Sequence, residues 1–335
     1  MRRFRVFLAI GIIANVALAQ TAKVTSTTLV QMPAPVDSNS PGFWMNGLFH
    51  LINSTANGKM LSAGASPVNL GAPSALTMNP IYARPTWMES VWTDTGGVIL
   101  GWYHQELAPC GGTNYLAQPQ IGAAVSYDGG STFLDLGTII SSGDAPDCSA
   151  LNGFTAGGNG DFSVILDQAG KYFYFLYTNY GGLLASQGVA VARMPYANRL
   201  SPAGSVMKYY QGGWTQPGMG GTETPIFPAK VEWQKANTNS FWGPSIHWNT
   251  YLSSYVALLN HSCCTSGYPQ EGIYVSFDAD LSNPASWSAP AKFMNNPNWY
   301  PQVLGNGANG SDKLAGQNAR LYLKGQSNWQ ISFVK

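Results

Sequence analysis

Residues 159–178, NGDFSVILDQAGKYFYFLYT, read as two β-strands joined by a turn. Phe162, Val164 and Ile165 build the first strand, Tyr172 to Tyr177 build the second, and the DQAG tetrad punctuates them. The first strand opens on a carboxylate, Asp161, set among glycines. Desolvating a carboxylate at the mouth of an apolar strand is costly, so its position asks for a reason. The pattern recurs along the chain as a polar or proline-containing start, a short apolar strand, a turn and a longer strand. Matching segments begin at Asp37 (DSNSPGFWMNGLFHLIN), Trp87 (WMESVWTDTGGVILGWYHQE), Trp242 (WGPSIHWNTYLSSYVALLN) and Trp299 (WYPQVLG, then ARLYLKG). Second strand pairs lie between them, as in IGAAVSYDGGSTFLDLG and EGIYVSFDADLSNPASWSAP. Four strands per unit and five units predict an all-β fold, a five-bladed β-propeller with four antiparallel strands per blade. The starts of the five units then converge on one axial pocket.

Composition narrows the partners. Only 10% of residues are charged, the net charge is +1, and Trp (11), Tyr (17) and Phe (14) are abundant. No basic cluster lies beyond the first residues, which excludes nucleic acid as a partner. Residues 1–19 combine a basic start, an apolar run and a small-x-small cleavage site at Ala17-Leu18-Ala19. They read as a secretory signal peptide, leaving residues 20–335 as a single exported propeller domain that is soluble, free of the membrane and monomeric. Four cysteines suit an oxidising compartment. A staple between Cys110 and Cys148 is plausible, and the adjacent Cys263 and Cys264 either bond to one another or pair with the first two. Neither CxxC nor HxxxH spacing is present, which argues against zinc. The segment SYDGGSTF (126–133) fits the Asp-box hairpin S-x-D-x-G-x-T-W/F, in which Asp128 is expected to cap its own turn.

The unit starts carry the chemistry. Asp37, Glu89 and Asp161 would face one cavity from three blades, and glycosidic cleavage needs such a set. One group protonates the leaving oxygen, one activates water, and a third raises the pKa of the acid by repulsion. His104 and Glu106 are two apart on a strand and share a face. His247 lies on the inner strand of the fourth unit, whereas His50 and His261 read as structural. Trp44, Trp87, Trp242, Trp248, Trp299 and Tyr300 lie in or beside the unit starts, and of these Trp242 and Trp299 are the rings expected to stack on sugar.

At these residues the chain resembles the five-bladed propeller glycoside hydrolases, the clan of arabinofuranosidases, arabinanases and β-xylosidases. The resemblance spans nearly the whole mature chain in architecture and is specific at DSNSP, GNGDFSVI, FWGPSIHWN and EGIYVSF. It implies a secreted hydrolase of a neutral oligo- or polysaccharide, furanoside-type favoured and inverting. Asp37 would be the base, Asp161 the pKa modulator, and His247 or Glu89 the acid. Glu223 and Glu271 compete for that last role, and Glu271 also stands as a substrate-binding residue with His104, Glu106, Trp242, Trp299 and Tyr300. Some relatives hold a calcium or sodium ion on the axis, although no dedicated acidic loop demands one here. A non-catalytic carbohydrate-binding propeller is the rival reading. A sialidase-like enzyme is disfavoured, since only four arginines follow the signal peptide and they are scattered.

Overall fold

The structure, a computed structural model, describes residues 20–335 apart from 83, 112–114, 268 and 296; the expected signal peptide lies outside the described residues. Five blades follow in chain order, each built on four strands, with Gly213–Pro217 added at the outer edge of blade 3. Blade 1 holds Gly42–Met45, Leu48–Thr55, Gly58–Ser66 and Ser74–Asn79, and blade 2 holds Thr86–Thr93, Ile99–Leu107, Gln118–Ser126 and Thr132–Ile140. A short parallel pairing of Thr132–Leu134 with Thr77–Asn79 joins these two blades at their outer strands. Blade 3 runs from Asn159–Leu166 through Tyr172–Asn179 and Gly188–Pro195 to Met207–Tyr210. Blade 4 comprises Asn239–Asn249, Ser254–Cys263, Gln270–Asp278 and Ala291–Asn295. Every inner strand begins at or within a few residues of a unit start expected from the sequence.

Blade 5 is completed from both ends of the chain. Its inner strands are Pro301–Gly305, Asn318–Leu323 and Gln326–Val334, and its outer strand is Thr21–Gln31, paired antiparallel from Thr21↔Val334 to Gln31↔Gln326. The sequence reading missed that strand, because TAKVTSTTLVQ alternates weakly and most of it is exposed. Its work is closure: Ala22 and Val24 pack on the core shared by blades 4 and 5, and the pairing covers an otherwise open edge. Deleting residues 20–31 is expected to lower the melting temperature by about 10 °C or more, at roughly 2–4 °C per kcal/mol. A truncated protein melting within about 2 °C of the full chain would show that closure contributes little.

The second strand of each blade is largely buried on both faces, since neighbouring blades pack sheet against sheet. Trp102, Phe162, Phe173, Phe175 and Tyr177 fill the seam between blades 2 and 3. This explains why segments such as YFYFLYT are continuously apolar instead of alternating. Cys110 and Cys148 are joined, tying together two loops of the same face, and Cys263 is joined to Cys264.

Candidate active site

A cavity of about 140 Å³ opens at the end of the axis where the inner strands start. Asp37, Trp87, Glu89, His104, Glu106, Asp161, Trp242, Trp299 and Tyr300 line it, together with Phe154, Thr155, Tyr180, Trp233 and Ser262. Blades 1 to 5 all contribute, as the repeat demanded. Of the expected site residues, His247 and Glu271 stand apart, as does Glu223, the other candidate for the acid.

The chain at Asp161 shows how the site is made. The ladder between the first two strands of blade 3 slips between Gly160 and Phe162, and Asp161 adopts φ +39° in the left-handed region. Such a conformation is unfavourable for a residue with a Cβ and persists only where its surroundings enforce it. Two amides freed by the bulge turn to side chains of blade 2: Phe162 N–H donates to Glu89 Oε2 at 2.8 Å, and Asp161 N lies 3.2 Å from His104 Nδ1. The Asp161 carboxylate accepts from the Tyr180 hydroxyl. Gly160 is required because a Cβ there would stand 2.7 Å from both His104 Cε1 and Pro119 Cβ. The backbone of the bulge thus ties blade 3 to blade 2, and the Asp161 carboxylate, held by Tyr180 of its own blade, faces the cavity.

His104 Nδ1 also lies 3.2 Å from Glu89 Oε1. A single ring nitrogen cannot donate to Glu89 and accept from the Asp161 amide at once. Either the proton sits on Nδ1, or Nδ1 accepts from the amide and the Glu89 carboxyl carries the proton. Glu89 is 2% exposed, and burial lifts its pKa to about 7; His104 opposes this rise and Asp161 reinforces it. Burial works against the imidazolium of His104, yet its hydrogen bond to Glu89 and the charges of Glu89, Asp161 and Glu106 raise its pKa on balance. The other ring nitrogen, Nε2, points to Glu106 Oε1 at 3.8 Å.

Glu106 and Asp37 are the accessible carboxylates. The Glu106 side chain is part-exposed and bonded weakly to Tyr115; burial and the charges of Asp161 and Asp37 raise its pKa against the pull of His104. Asp37 lies nearer the rim, 3.8 Å from Lys324 Nζ, which itself sits 5.1 Å over the Trp299 ring. Burial raises the Asp37 pKa, Lys324 lowers it and Asp161 raises it again. Trp299 and Tyr300 meet Trp242 edge to face at 6.2 and 5.8 Å, forming one aromatic wall. Tyr300, at φ +56°, is held protonated by burial and by four nearby carboxylates.

His247, expected as an acid candidate, lies outside the lining of the cavity. It is 1% exposed and tilted against Phe333, and burial together with the Lys313 charge lowers its pKa to about 3, so it stays neutral. The inner strand of blade 4 directs it sideways into the seam with blade 5, while Gly243 and Ser245 occupy the positions nearer the axis. Glu271 lies farther out in blade 4, paired with Lys292, His261 and Tyr274. Glu223 is buried against Lys208 in blade 3. Trp44 and Trp248 line a different hollow with Trp92. Tyr180 and Trp233, which the sequence reading passed over, complete the cavity; both follow strands or loops whose ends carry no repeat signal.

Ligand atoms of Glu89, His104 and Asp161 lie within 4.8 Å of one another. The set does not fit an axial calcium ion, which takes six to eight oxygens. Here one donor is an imidazole, the two Glu89 oxygens face Phe162 N–H and His104, and one Asp161 oxygen accepts from Tyr180.

The chain folds as a five-bladed propeller, and solved structures superpose on it over most of its length. No family model matches the sequence, and no curated protein matches it. The endo-arabinase of Bacteroides thetaiotaomicron VPI-5482 has a TM-score of 0.53 at 9% identity, over 93% of this chain and 98% of its own. The arabinanase of Bacillus subtilis has a TM-score of 0.50 at 13% identity, over 91% of this chain and 96% of its own. An exo-β-1,3-galactanase from Phanerochaete chrysosporium, solved with β-1,3-galactotriose, has a TM-score of 0.50 at 13% identity over 91% of this chain, which spans 64% of the galactanase. At these identities the likeness is one of fold, and it places the chain's architecture among propellers that include glycoside hydrolases.

Proposed function

We propose that the protein is a secreted, monomeric glycoside hydrolase that cleaves a neutral oligo- or polysaccharide with inversion. The observation that carries this reading is the convergence of Asp37, Glu89, Glu106 and Asp161 on one aromatic cavity, with burial raising the pKa of Asp37, Glu89 and Glu106. Carboxylates are costly to desolvate together, and such placement is the mark of acid–base work. Asp37, tempered by Lys324, is the base: it takes a proton from water as the water oxygen bonds to the anomeric carbon. Glu106 gives its proton to the leaving glycosidic oxygen as the old bond breaks. Glu106 suits this role better than Glu89, whose two oxygens are held by Phe162 N–H and His104. The Glu89–His104 pair, with Asp161, keeps the floor of the site fixed and partly protonated.

The substrate class follows from the lining. Among the described lining residues there is no Arg or Lys, the rim ammonium of Lys324 is turned to Asp37, and four carboxylates line the cavity, so an anionic sugar such as a sialoside is disfavoured, and indole faces suit the C–H surfaces of neutral rings. The fold likeness to arabinanases and a galactanase favours arabinan or galactan, furanosides first. The test is sugar release from aryl furanosides and pyranosides and from arabinan and β-1,3-galactan oligosaccharides, by wild type and Asp37→Ala, with proton NMR reading the first anomer formed. Release by wild type alone, with inverted configuration, supports the reading. No release on any substrate, with sugar binding that survives Asp37→Ala, leaves a lectin-like propeller instead.

A further inference from the structure

The axial cavity, at about 140 Å³, has room for about one ring. A chain entering it must therefore cross the rim with its next unit, and the rim carries a prepared surface. Phe154 is 54% exposed, the most exposed of the described cavity-lining residues. It stands on the segment between blades 2 and 3, whose backbone is fixed at many points. Asn152 Oδ1 accepts from Phe154 N–H at 2.8 Å and from Thr155 N–H at 2.7 Å. Asn152 Nδ2 donates to Trp233 O at 2.8 Å, and Leu151 N–H to Gln234 O at 2.9 Å. Ala117 pairs on both sides, its N–H with Phe154 O at 2.8 Å and its O with Ala156 N–H at 2.7 Å. The Cys110–Cys148 disulfide ties the same segment to the loop preceding Ala117.

An aromatic ring held out to solvent on so fixed a backbone has already lost most of the entropy that ligand binding would otherwise cost. We propose that Phe154 is the platform for the sugar unit next to the one in the cavity, so that the protein grips the end of a glycan with one ring inside and the next stacked on Phe154. This rests on the cavity being a sugar site, as proposed above, and it makes attack on chain ends the expected mode.

The test reads binding, so it stands apart from turnover. Quenching of the cavity tryptophans is titrated with β-1,3-galactotriose and galactose, and with α-1,5-arabinotriose and arabinose, for wild type, Phe154→Ala and Phe154→Trp. Wild type should prefer the trisaccharide of one series. Phe154→Ala should weaken that trisaccharide about tenfold and the monosaccharide far less, while Phe154→Trp restores the preference. A trisaccharide affinity within twofold of wild type in Phe154→Ala, or an equal loss for the monosaccharide, overturns the platform. Absence of any sugar binding by wild type overturns the sugar cavity itself, and the platform with it.

Discussion

Glu106→Gln is expected to cut kcat on an oligosaccharide by 10²–10⁴-fold, the usual worth of a positioned general acid, and to cost far less on a 2,4-dinitrophenyl glycoside. That phenolate leaves without a proton, whereas an alkoxide does not. Asp37→Ala should lose activity equally on both, because water must be deprotonated whatever departs. The pH profile separates the two further. The base must be ionised, so Asp37 sets the acid limb; the acid must be protonated, so Glu106 sets the alkaline limb, at a pH above the ordinary carboxylate range because burial and Asp161 hold its proton on. Lys324→Met removes the charge that lowers the Asp37 pKa and moves the acid limb to higher pH. If Glu106→Gln falls as far on the dinitrophenyl glycoside as on the oligosaccharide, or keeps its alkaline limb, then Glu106 is not the acid, and Glu89 becomes the candidate despite its occupied oxygens.

The parts of this site that the sequence disclosed are those fixed by repetition. Asp37, Glu89, Asp161, Trp242, Trp299 and Tyr300 stand at unit starts, and an inner strand that begins at the axis carries its first residues into the cavity by geometry alone. His104 and Glu106 followed from the two-residue period of a strand. His247 illustrates the limit of that reasoning. It lies deeper along its strand than the true starts, where the side chains of adjoining blades interlock, and a shift of one residue in a strand turns a side chain from axis to seam. The bulge at Asp161 is equally invisible in the sequence, since it depends on Glu89 and His104 of another blade receiving the displaced amides. Tyr180, Trp233 and Phe154 belong to connections whose path is set by tertiary contacts such as those of Asn152 and Gln234. The closing strand from Thr21 to Gln31 escaped because pairing with the far end of the chain, not its own pattern, makes it a strand.

Lys208→Met should destabilise the protein by about 3–5 kcal/mol, the cost of breaking a buried ion pair. Lys208 is 0% exposed and its ammonium reaches four oxygens: Glu223 Oε2 at 2.8 Å, Gly221 O at 2.7 Å, Asn159 Oδ1 at 3.0 Å and Ser141 O at 3.1 Å. Asn159 opens the strand that carries Asp161, so the pair pins the inner edge of blade 3 as well as its outer loop. Burial lowers the Lys208 pKa and raises that of Glu223 even with the partner present. Without the ammonium, Glu223 keeps its desolvation penalty and loses the charge that offset it, so its folded pKa rises further. Above the unfolded pKa of a glutamate, near 4.3, the folded variant then holds a proton that the unfolded chain has released. Stability must fall as pH rises through that window. The deficit relative to wild type should therefore be smallest near pH 4 and largest near neutrality, read from urea unfolding at both. Lys208→Met combined with Glu223→Leu removes both charges and should recover much of the loss, as replaced buried pairs do. A single variant as stable as wild type at pH 7 would show that the buried ammonium adds nothing net, and a double variant no better than the single would show that its contacts to Gly221, Asn159 and Ser141 matter more than its pairing with Glu223.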